Sequence, residues 1–331
     1  MKKAGKILVF IFISIFIIVG ALVSYVKFAL PNVGKAPDLK VELTPARIER
    51  GKYLANHVTV CIDCHSKRDW TKLGGPLDPQ TTGSGGEKFD SNVGFPGEVY
   101  SANITPFNLK NWTDGEIFRA ITTGVKKDGS AIFPIMPYNS YRQMDKEDIY
   151  SIIAYIRTLP ERKSTFPERK LDFPLNFIVN TIPTKADLKP IPNEKDQLAY
   201  GAYILNAAAC KECHTKAENG NPVEGMELAG GRDFQLPSGT VFSANLTPDP
   251  ETGIGKWTRE QFVAKFQMFA DSSYRPANVG AHDFQTIMPW GMYGGMKKSD
   301  LEAIYAYLKT VKPVKNEVTR FVTSKELAAV K

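Results

Sequence analysis

The residues whose types and spacing point to a specific chemistry are the four cysteines and two of the four histidines. They form two motifs, Cys61-Ile62-Asp63-Cys64-His65 and Cys210-Lys211-Glu212-Cys213-His214. Two thiols three positions apart can bond the two vinyl groups of one porphyrin, and the adjacent imidazole can turn under the ring to bind its iron. The spacing therefore predicts two covalently bound haem c groups per chain, attached through Cys61, Cys64, Cys210 and Cys213, with His65 and His214 as axial ligands of the irons.

Other uses of paired cysteines fit this sequence less well. Four cysteines in an exported protein usually form two disulfides, but a disulfide requires no histidine after each pair. A thioredoxin-type redox site needs no following histidine either, and its usual βαβ setting is not apparent. Zinc needs four converging ligands, whereas each motif supplies three. Haem attachment is the interpretation that uses all six residues.

The sixth ligand of each predicted iron decides between an electron carrier and a catalyst. A shift of 152 residues places Met136-Pro137 on Met288-Pro289, and the same shift places Asp148 on Asp300. Because proline fixes the loop that carries each sulfur, Met136 and Met288 are predicted as the sixth ligands. The competing candidates are Met144, Met292, Met296, His57 and His282, and the two histidines are expected to make local hydrogen bonds instead.

Further groups around the irons are expected from the neighbouring sequence. The backbone carbonyl at Gly75-Pro76 is expected to accept the imidazole proton in the first half, with Pro222 as a weaker counterpart in the second. Trp112 and Trp257 are expected either to shield the haem edges or to pack in the core.

The chain repeats itself around the two motifs, which indicates one domain present twice. The matching segments follow the same order in both halves. They are residues 51–56 with 201–206, 85–89 with 230–234, 100–106 with 242–248, 112–113 with 257–258, and 148–159 with 300–310.

Helix-start signals precede the elements that must position the motifs. They are Thr44-Pro45, Thr113-x-x-Glu116, Thr258-x-x-Gln261 and Ser299-x-x-Glu302, while strand alternation is scarce. The proline-rich stretch 160–192 cannot be one helix, and its residues 171–177 are expected to pack onto a domain. The predicted class is mainly α with two tandem domains. The predicted boundaries are 1–30 for a cytoplasmic stub and transmembrane anchor, 44–160 and 195–313 for the domains, 161–194 for a linker and 314–331 for a C-terminal tail.

The N-terminal segment predicts a membrane anchor. Residues 7–26 form an apolar run of bilayer length, preceded by Lys2, Lys3 and Lys6. The lysines place the N-terminus in the cytoplasm, so the remainder is expected on the periplasmic or extracytoplasmic side of a bacterial inner membrane. No convincing cleavage site precedes Pro31, which favours an uncleaved single-pass anchor over a signal peptide.

Charge composition argues against nucleic acid as a partner. The formal net charge is +7, but 42 basic residues are set against 35 acidic ones and are scattered along the chain. A mildly basic surface could equally face an acidic protein or anionic lipid.

At these residues the chain resembles the multihaem cytochrome c subunits of membrane-bound alcohol and gluconate dehydrogenases. The resemblance rests on the two attachment motifs, the Gly-Gly-x-x-Phe segments at 85–89 and 230–234, the Ser-Ala-Asn loops at 101–103 and 243–245, Gly253-Ile254-Gly255-x-Trp257 and the two Met-Pro pairs. It implies domains like class I cytochromes c and a role in electron transfer. Those subunits typically carry three haem motifs, whereas this chain has two.

The predicted function is dihaem electron transfer between a membrane or periplasmic dehydrogenase, or a quinol-oxidising complex, and a downstream carrier or terminal oxidase. Such a protein performs no bond chemistry of its own, so no catalytic residue is predicted. The alternative is a dihaem enzyme such as a peroxidase, which needs an iron that opens to substrate. A methionine for each iron argues against that alternative.

Overall fold

The N-terminal helix stands apart from the rest of the chain. The computed structural model describes residues 2–218 and 220–329, so Met1 of the predicted anchor segment and Val330 and Lys331 of the predicted tail lie outside the described residues. Helix α1 (Lys2–Phe28) is almost entirely apolar, and its apolar side chains are exposed. Within the described part of the chain, it is the one helix long and apolar enough to cross a membrane.

The first half of the chain folds into short helices around one long closing helix. They are α2 (Pro45–Tyr53), continued by a π-helical turn (Leu54–Val58), then α3 (Cys61–Cys64), α4 (Pro106–Leu109), α5 (Asp114–Thr123), α6 (Tyr138–Tyr141) and α7 (Lys146–Thr158), with 3₁₀ turns at Pro79–Thr81 and Ser91–Val93. Two predicted helix starts are confirmed. Thr44 accepts a hydrogen bond from the Arg47 amide, and Thr113 forms a reciprocal capping box with Glu116.

The second half repeats the order of five first-half helices, α2, α3, α5, α6 and α7. A connecting segment contains α8 (Leu175–Ile178) and a 3₁₀ turn (Val179–Thr181), and then come α9 (Gln197–Ala207), α10 (Cys210–His214), α11 (Arg259–Gln267), α12 (Trp290–Tyr293), α13 (Lys298–Leu308) and α14 (Ser324–Ala329). The capping box of Thr258 and Gln261 is confirmed. The predicted start at Ser299 is wrong, because α13 begins at Lys298 and Lys297 occupies the cap position without a side-chain hydrogen bond.

Strands are short, and helices account for about 41% of the chain. They are β1 (Lys88–Phe89), β2 (Gly97–Tyr100), β3 (Lys170–Leu171), β4 (Ala217–Glu218), β5 (Asn221–Pro222), β6 (Asp233–Leu236), β7 (Gly239–Phe242) and β8 (Phe321–Thr323). Antiparallel sheets form in the orders β1-β2-β3, β4-β5 and β6-β7-β8. β3 lies in the predicted linker and β8 in the predicted tail, so the chain after each closing helix returns to its own half.

Glycine in the repeated segment before each motif allows two helices to cross closely. Helix α2 packs against α7, and α9 packs against α13. A Cβ atom on Gly51 would lie 1.7 Å from the Ser151 carbonyl oxygen, and one on Gly201 would lie 2.0 Å from that of Ala303. No larger side chain fits at either crossing, which explains why the sequence repeat includes these glycines.

Both halves share one hydrophobic core and exchange reciprocal hydrogen bonds. The core cluster contains buried residues from 41 to 308, including helices of both halves. The Tyr53 hydroxyl donates to Asp300 Oδ2 at 2.6 Å, and the Tyr203 hydroxyl donates to Asp148 Oδ2 at 2.7 Å. The two halves are therefore packed against each other through equivalent residues, in a pseudo-symmetric arrangement.

Candidate haem-binding sites

A sharp bend precedes each cysteine motif. Val60 and Ala209, the residues before the first cysteines, have φ values of +44° and +52°. Residues with a side chain rarely adopt this left-handed conformation, and it concentrates where surrounding structure enforces it at functional sites. Helices α3 and α10 begin immediately afterwards, so both motifs leave the preceding helix in the same way.

All four cysteines are free thiols. Burial raises the pKa of Cys64 and of Cys210 to about 12, and it also raises the pKa values of Cys61 and Cys213. Across the described residues, no three or more His, Cys, Asp or Glu side chains are grouped so that they could hold a metal ion. Neither the disulfide alternative nor the zinc alternative is supported by this arrangement.

Each motif histidine is oriented by one backbone carbonyl. His65 Nδ1 lies 2.7 Å from the Ala102 oxygen, and His214 Nδ1 lies 2.8 Å from the Ala244 oxygen. Because a carbonyl can only accept, Nδ1 carries the proton and Nε2 presents its lone pair. Burial lowers the pKa of His65 and lowers that of His214 to about 4, which favours the neutral imidazole that binds iron.

These carbonyls correct the expectation for the imidazole partners. The Gly75 carbonyl accepts from Arg68 Nε at 2.8 Å, and Pro222 lies in β5 opposite Ala217. Ala102 and Ala244 belong to the repeated Ser-Ala-Asn loops, which reach the motifs from 30 or more positions away in sequence. The sequence repeat is the signal that could have identified these carbonyls, since both loops occupy the same place in the two halves.

The predicted methionines lie at the edge of the core. Met136 and Met288 are half-buried, pack against the shared core and precede the prolines at the N-termini of α6 and α12. The 152-residue shift also relates Met144 to Met296, so the shift alone does not select a ligand. Met144 is fully buried and Met296 is 3% exposed, as expected for core-filling side chains.

The remaining candidate ligands are engaged elsewhere. His57 Nδ1 lies 2.8 Å from the Met292 carbonyl oxygen, and the exposed His282 has its Nδ1 2.9 Å from Ser324 Oγ. Both histidines form hydrogen bonds, but that of His57 joins the two halves across 235 positions and is not the local bond that was expected. Trp112 is half-buried against the core, whereas Trp257 is exposed and its carbonyl accepts from Tyr305.

The geometry of the second half can be compared with known families. Residues 198–312 match the family Cytochrome c. This part of the chain is a cytochrome c domain. A domain of this family carries covalently bound haem c, and Cys210, Cys213 and His214 in this domain fit that group: two free thiols lie beside a neutral imidazole whose Nε2 is available.

Relatives extend the similarity over most of the chain. It is 28% identical over 284 residues to the cytochrome c subunit of a quinone-dependent alcohol dehydrogenase of Gluconacetobacter polyoxogenes, covering 81% of this chain and 57% of the relative. It is 28% identical to a fructose dehydrogenase cytochrome subunit of Gluconobacter japonicus, covering 93% and 62% of the two chains. It is 24% identical to a gluconate 2-dehydrogenase cytochrome c subunit of Pantoea cypripedii, covering 80% and 60%.

These relatives confirm the resemblance to dehydrogenase cytochrome c subunits that the sequence motifs indicate. The chain spans about three fifths of the length of these relatives. Both motifs fall within the span aligned to the fructose dehydrogenase cytochrome subunit, since 93% of the chain is covered.

Two buried tyrosines lie between the cysteine motifs. The Tyr141 hydroxyl donates to the Thr59 carbonyl at 2.8 Å, and the Tyr293 hydroxyl of the cytochrome c domain donates to the Ala208 carbonyl at 2.7 Å. Burial raises the pKa of both phenols well above the usual range, and thiols of both motifs contribute to each shift. The two motifs are therefore close enough to act electrostatically on the same pair of side chains.

A loop of the first half braces the loop that carries Met288 in the cytochrome c domain. The buried Gln285 side chain donates from Nε2 to the carbonyls of Trp70 and Lys72, at 3.2 and 3.0 Å, and accepts from the Gly74 amide at 2.8 Å. Two backbone hydrogen bonds, Leu73 to Ala277 and Val279 to Thr71, extend this contact. No sequence pattern predicts this contact between the two loops, because it depends on how the halves dock.

The same first-half loop is held by a buried arginine beside the first motif. Arg68 Nη1 lies 2.9 Å from Asp63 Oδ2, and both side chains are largely buried. Its other nitrogens donate to the Gly74 and Gly75 carbonyls, and its guanidinium stacks over the Trp70 ring at 4.2 Å. Asp63 lies inside the first motif, so a chain of contacts links that motif to the Met288 loop.

Proposed function

We propose that the chain is a dihaem c-type cytochrome that transfers electrons one at a time. The observation that carries this proposal is the duplicated histidine geometry: each motif places an imidazole on the carbonyl of a Ser-Ala-Asn loop, with Nε2 free to bind iron. The second half belongs to the cytochrome c family, and five helices of the first half, α2, α3, α5, α6 and α7, have counterparts in the same order in the second.

The first half is proposed to be a second cytochrome c domain. Its side-chain contacts repeat those of the matched half outside the motif as well. Asn103 Nδ2 donates to the Arg162 carbonyl at 2.7 Å, and Asn245 Nδ2 donates to the Val314 carbonyl at 2.8 Å. These bonds tie the chain after each closing helix to the loop that holds the imidazole. Because β3 and β8 then pair with β2 and β7, the domain boundaries reach at least as far as these two strands.

In this proposal the haems are held by residues from two places in each half. Cys61, Cys64 and His65 would hold one, with Met136 as the sixth ligand, and Cys210, Cys213, His214 and Met288 would hold the other. The bound iron supplies reversible one-electron chemistry. The protein attaches it, orients the imidazoles, excludes water by burial and keeps the two sites on either side of the tyrosine pair.

The partners are proposed from the relatives. A dehydrogenase or a quinol-oxidising complex would supply electrons, and a soluble carrier or a terminal oxidase would accept them. Helix α1 is proposed to anchor the chain in a bacterial inner membrane, with the haem domains outside the cytoplasm. Its residues Lys3–Phe28 form a 26-residue stretch of high hydropathy, whose side chains contact no other part of the fold along most of its length.

A spectroelectrochemical titration of the full-length protein in detergent tests the proposal. We expect two one-electron steps, both with the spectrum of six-coordinate low-spin iron, a far-red band from methionine ligation in the oxidised protein, and no carbon monoxide binding after reduction. A single one-electron step would contradict the dihaem state. Carbon monoxide binding by one haem would instead favour the dihaem enzyme, because that chemistry requires an iron that opens to substrate.

A further inference from the structure

Apolar side chains are exposed beside the end of α1, in the segment between the two halves. This juxtamembrane segment comprises residues 173–181 and includes α8. Phe173 is 81% exposed and Ile178 is 43% exposed. Residues 171–177 were expected to pack onto a domain, but Phe173 instead contacts Phe177 edge to face and faces solvent.

The juxtamembrane segment is fixed on two sides. Just before it, β3 pairs with β2 of the first half, and the Asp172 amide donates to the Pro96 carbonyl at 3.4 Å. On the other side, α8 and the following 3₁₀ turn pack against α1, and Asn180 Nδ2 donates to the Val26 carbonyl at 3.4 Å. The exposed Phe173 and Ile178 are therefore carried by a segment attached both to the first half and to the end of α1.

The contact with Val26 sets the depth of this segment. Residues 7–26 form the apolar run of α1, and 20 residues at about 1.5 Å each span about 30 Å, the thickness of the hydrocarbon core. Val26 then lies at the outer boundary of that core, followed by Lys27. Residues hydrogen-bonded to it lie at the level of the lipid headgroups, where exposed aromatic side chains are stabilised.

We propose that the juxtamembrane segment is a second membrane contact, with Phe173 and Ile178 inserted into the outer leaflet beside α1. This inference rests on the proposal that α1 crosses the membrane. Residues 37–44 are packed on the first half, where the Val41 amide donates to Asp114 Oδ2 at 2.8 Å, so residues 29–36 are the stretch about which the domains can tilt relative to α1. A second contact, joined to the first half through the pairing of β3 with β2, fixes the orientation of both haem sites relative to the membrane surface.

Photocrosslinking of the full-length protein in phosphatidylcholine/phosphatidylglycerol nanodiscs tests the proposal. p-Benzoylphenylalanine replaces Phe173, Phe284 or Ile13 in separate proteins, and lipid adducts are counted by mass spectrometry. Phe284 is the matched control, since it is an exposed phenylalanine, at 44%, in the second half. We expect adducts at positions 13 and 173, and roughly ten-fold fewer at position 284.

The three crosslinking positions distinguish a failure of the second membrane contact from a failure of α1 as the anchor. Adducts at position 13 with none above the control at position 173 would overturn the second contact and leave the anchor in place. No adducts at position 13 would overturn the anchor, and the second contact with it. Adducts at position 173 to a protein subunit rather than to lipid in native membranes would also overturn the proposal, because the patch would then be a protein interface.

Electron paramagnetic resonance tests whether the second membrane contact fixes the orientation of the haem sites. In oriented membrane multilayers, the electron paramagnetic resonance signals of the oxidised haems should depend strongly on the angle to the magnetic field. Phe173→Glu combined with Ile178→Glu should weaken that dependence, because charged side chains do not enter the apolar layer. Phe284→Glu is the control and should leave it unchanged. Equal angular dependence in all three proteins would contradict a second contact that fixes orientation.

Discussion

The two halves hold an equivalent buried carboxylate in different ways. Asp148 of the first half receives the Arg50 guanidinium, at 2.8 and 2.9 Å, and the Tyr203 hydroxyl. Asp300 of the second half receives the hydroxyls of Tyr53, Tyr200 and Ser299, at 2.6, 3.3 and 3.3 Å, and among the described residues no cation forms an ion pair with it. Tyr200 takes the place of Arg50.

This difference shows that the fold requires the carboxylate but not its counter-charge. At both positions the aspartate lies at the start of the closing helix and accepts a tyrosine from the opposite half, so it joins the halves. Hydroxyl donors alone can satisfy a buried carboxylate's lone pairs, whereas an arginine also compensates its charge. The two cytochrome units therefore share a scaffold while their buried charges differ.

Removing Arg50 should give the largest effect. Arg50→Met leaves Asp148 buried without its counter-charge, and we expect a loss of about 3–5 kcal/mol in the free energy of unfolding. Tyr200→Phe, the matched change in the second half, removes one long hydrogen bond and should cost about 1 kcal/mol. Guanidinium titrations of both variants measure the difference. Equal losses would show that the two carboxylates are held alike.

The tyrosines that cross between the halves should give an intermediate effect. Tyr53→Phe leaves Asp300 with only two long hydroxyl contacts, so we expect about 2–3 kcal/mol of destabilisation. Tyr203→Phe leaves Asp148 with Arg50 and should cost about 1–2 kcal/mol. Tyr305→Phe is the control, because its hydroxyl donates to an exposed carbonyl within the second half. The reverse order of the two interface variants would refute the charge asymmetry.

Gln285 provides a second comparison between the halves, in which the second half has the additional contacts. Its side chain braces the methionine loop of the second half only. Gln285→Ala removes hydrogen bonds to the first-half loop, and we expect Met288 ligation to weaken by about five-fold through roughly 1 kcal/mol of lost support. The far-red band should lose the second haem's share and the first haem's share should persist. Gln80→Ala, an exposed change, is the control. An unchanged band after Gln285→Ala would mean that the brace does not position Met288.

Most of the features that could be predicted from the sequence depend on residues close together in the chain. The motifs, the glycines at 51 and 201 and the capping boxes at Thr113 and Thr258 involve contacts that short patterns encode, and repetition in two halves made each one visible. The predicted start of α13 is two residues too late, because Lys297 rather than Ser299 occupies the cap position.

Long-range contacts could not be predicted. The carbonyls that orient the imidazoles lie 37 and 30 positions away from the histidines, and only the folded loops bring them together. The Gln285 brace and the crossed tyrosines depend on how the halves dock, which no repeat within one half encodes. The same 152-residue shift relates Met144 to Met296 and Met136 to Met288. Only the folded structure distinguishes the two pairs, because the first pair is buried and the second is half-buried.

Intact mass spectrometry of the mature protein tests the central claim most directly. The wild type should carry the mass of two covalent haems. Cys61→Ser combined with Cys64→Ser should carry one, and so should Cys210→Ser combined with Cys213→Ser, with the remaining haem in the untouched half. A wild-type mass that includes one haem or none, or a motif variant that keeps two, would contradict the account of two haem-binding domains.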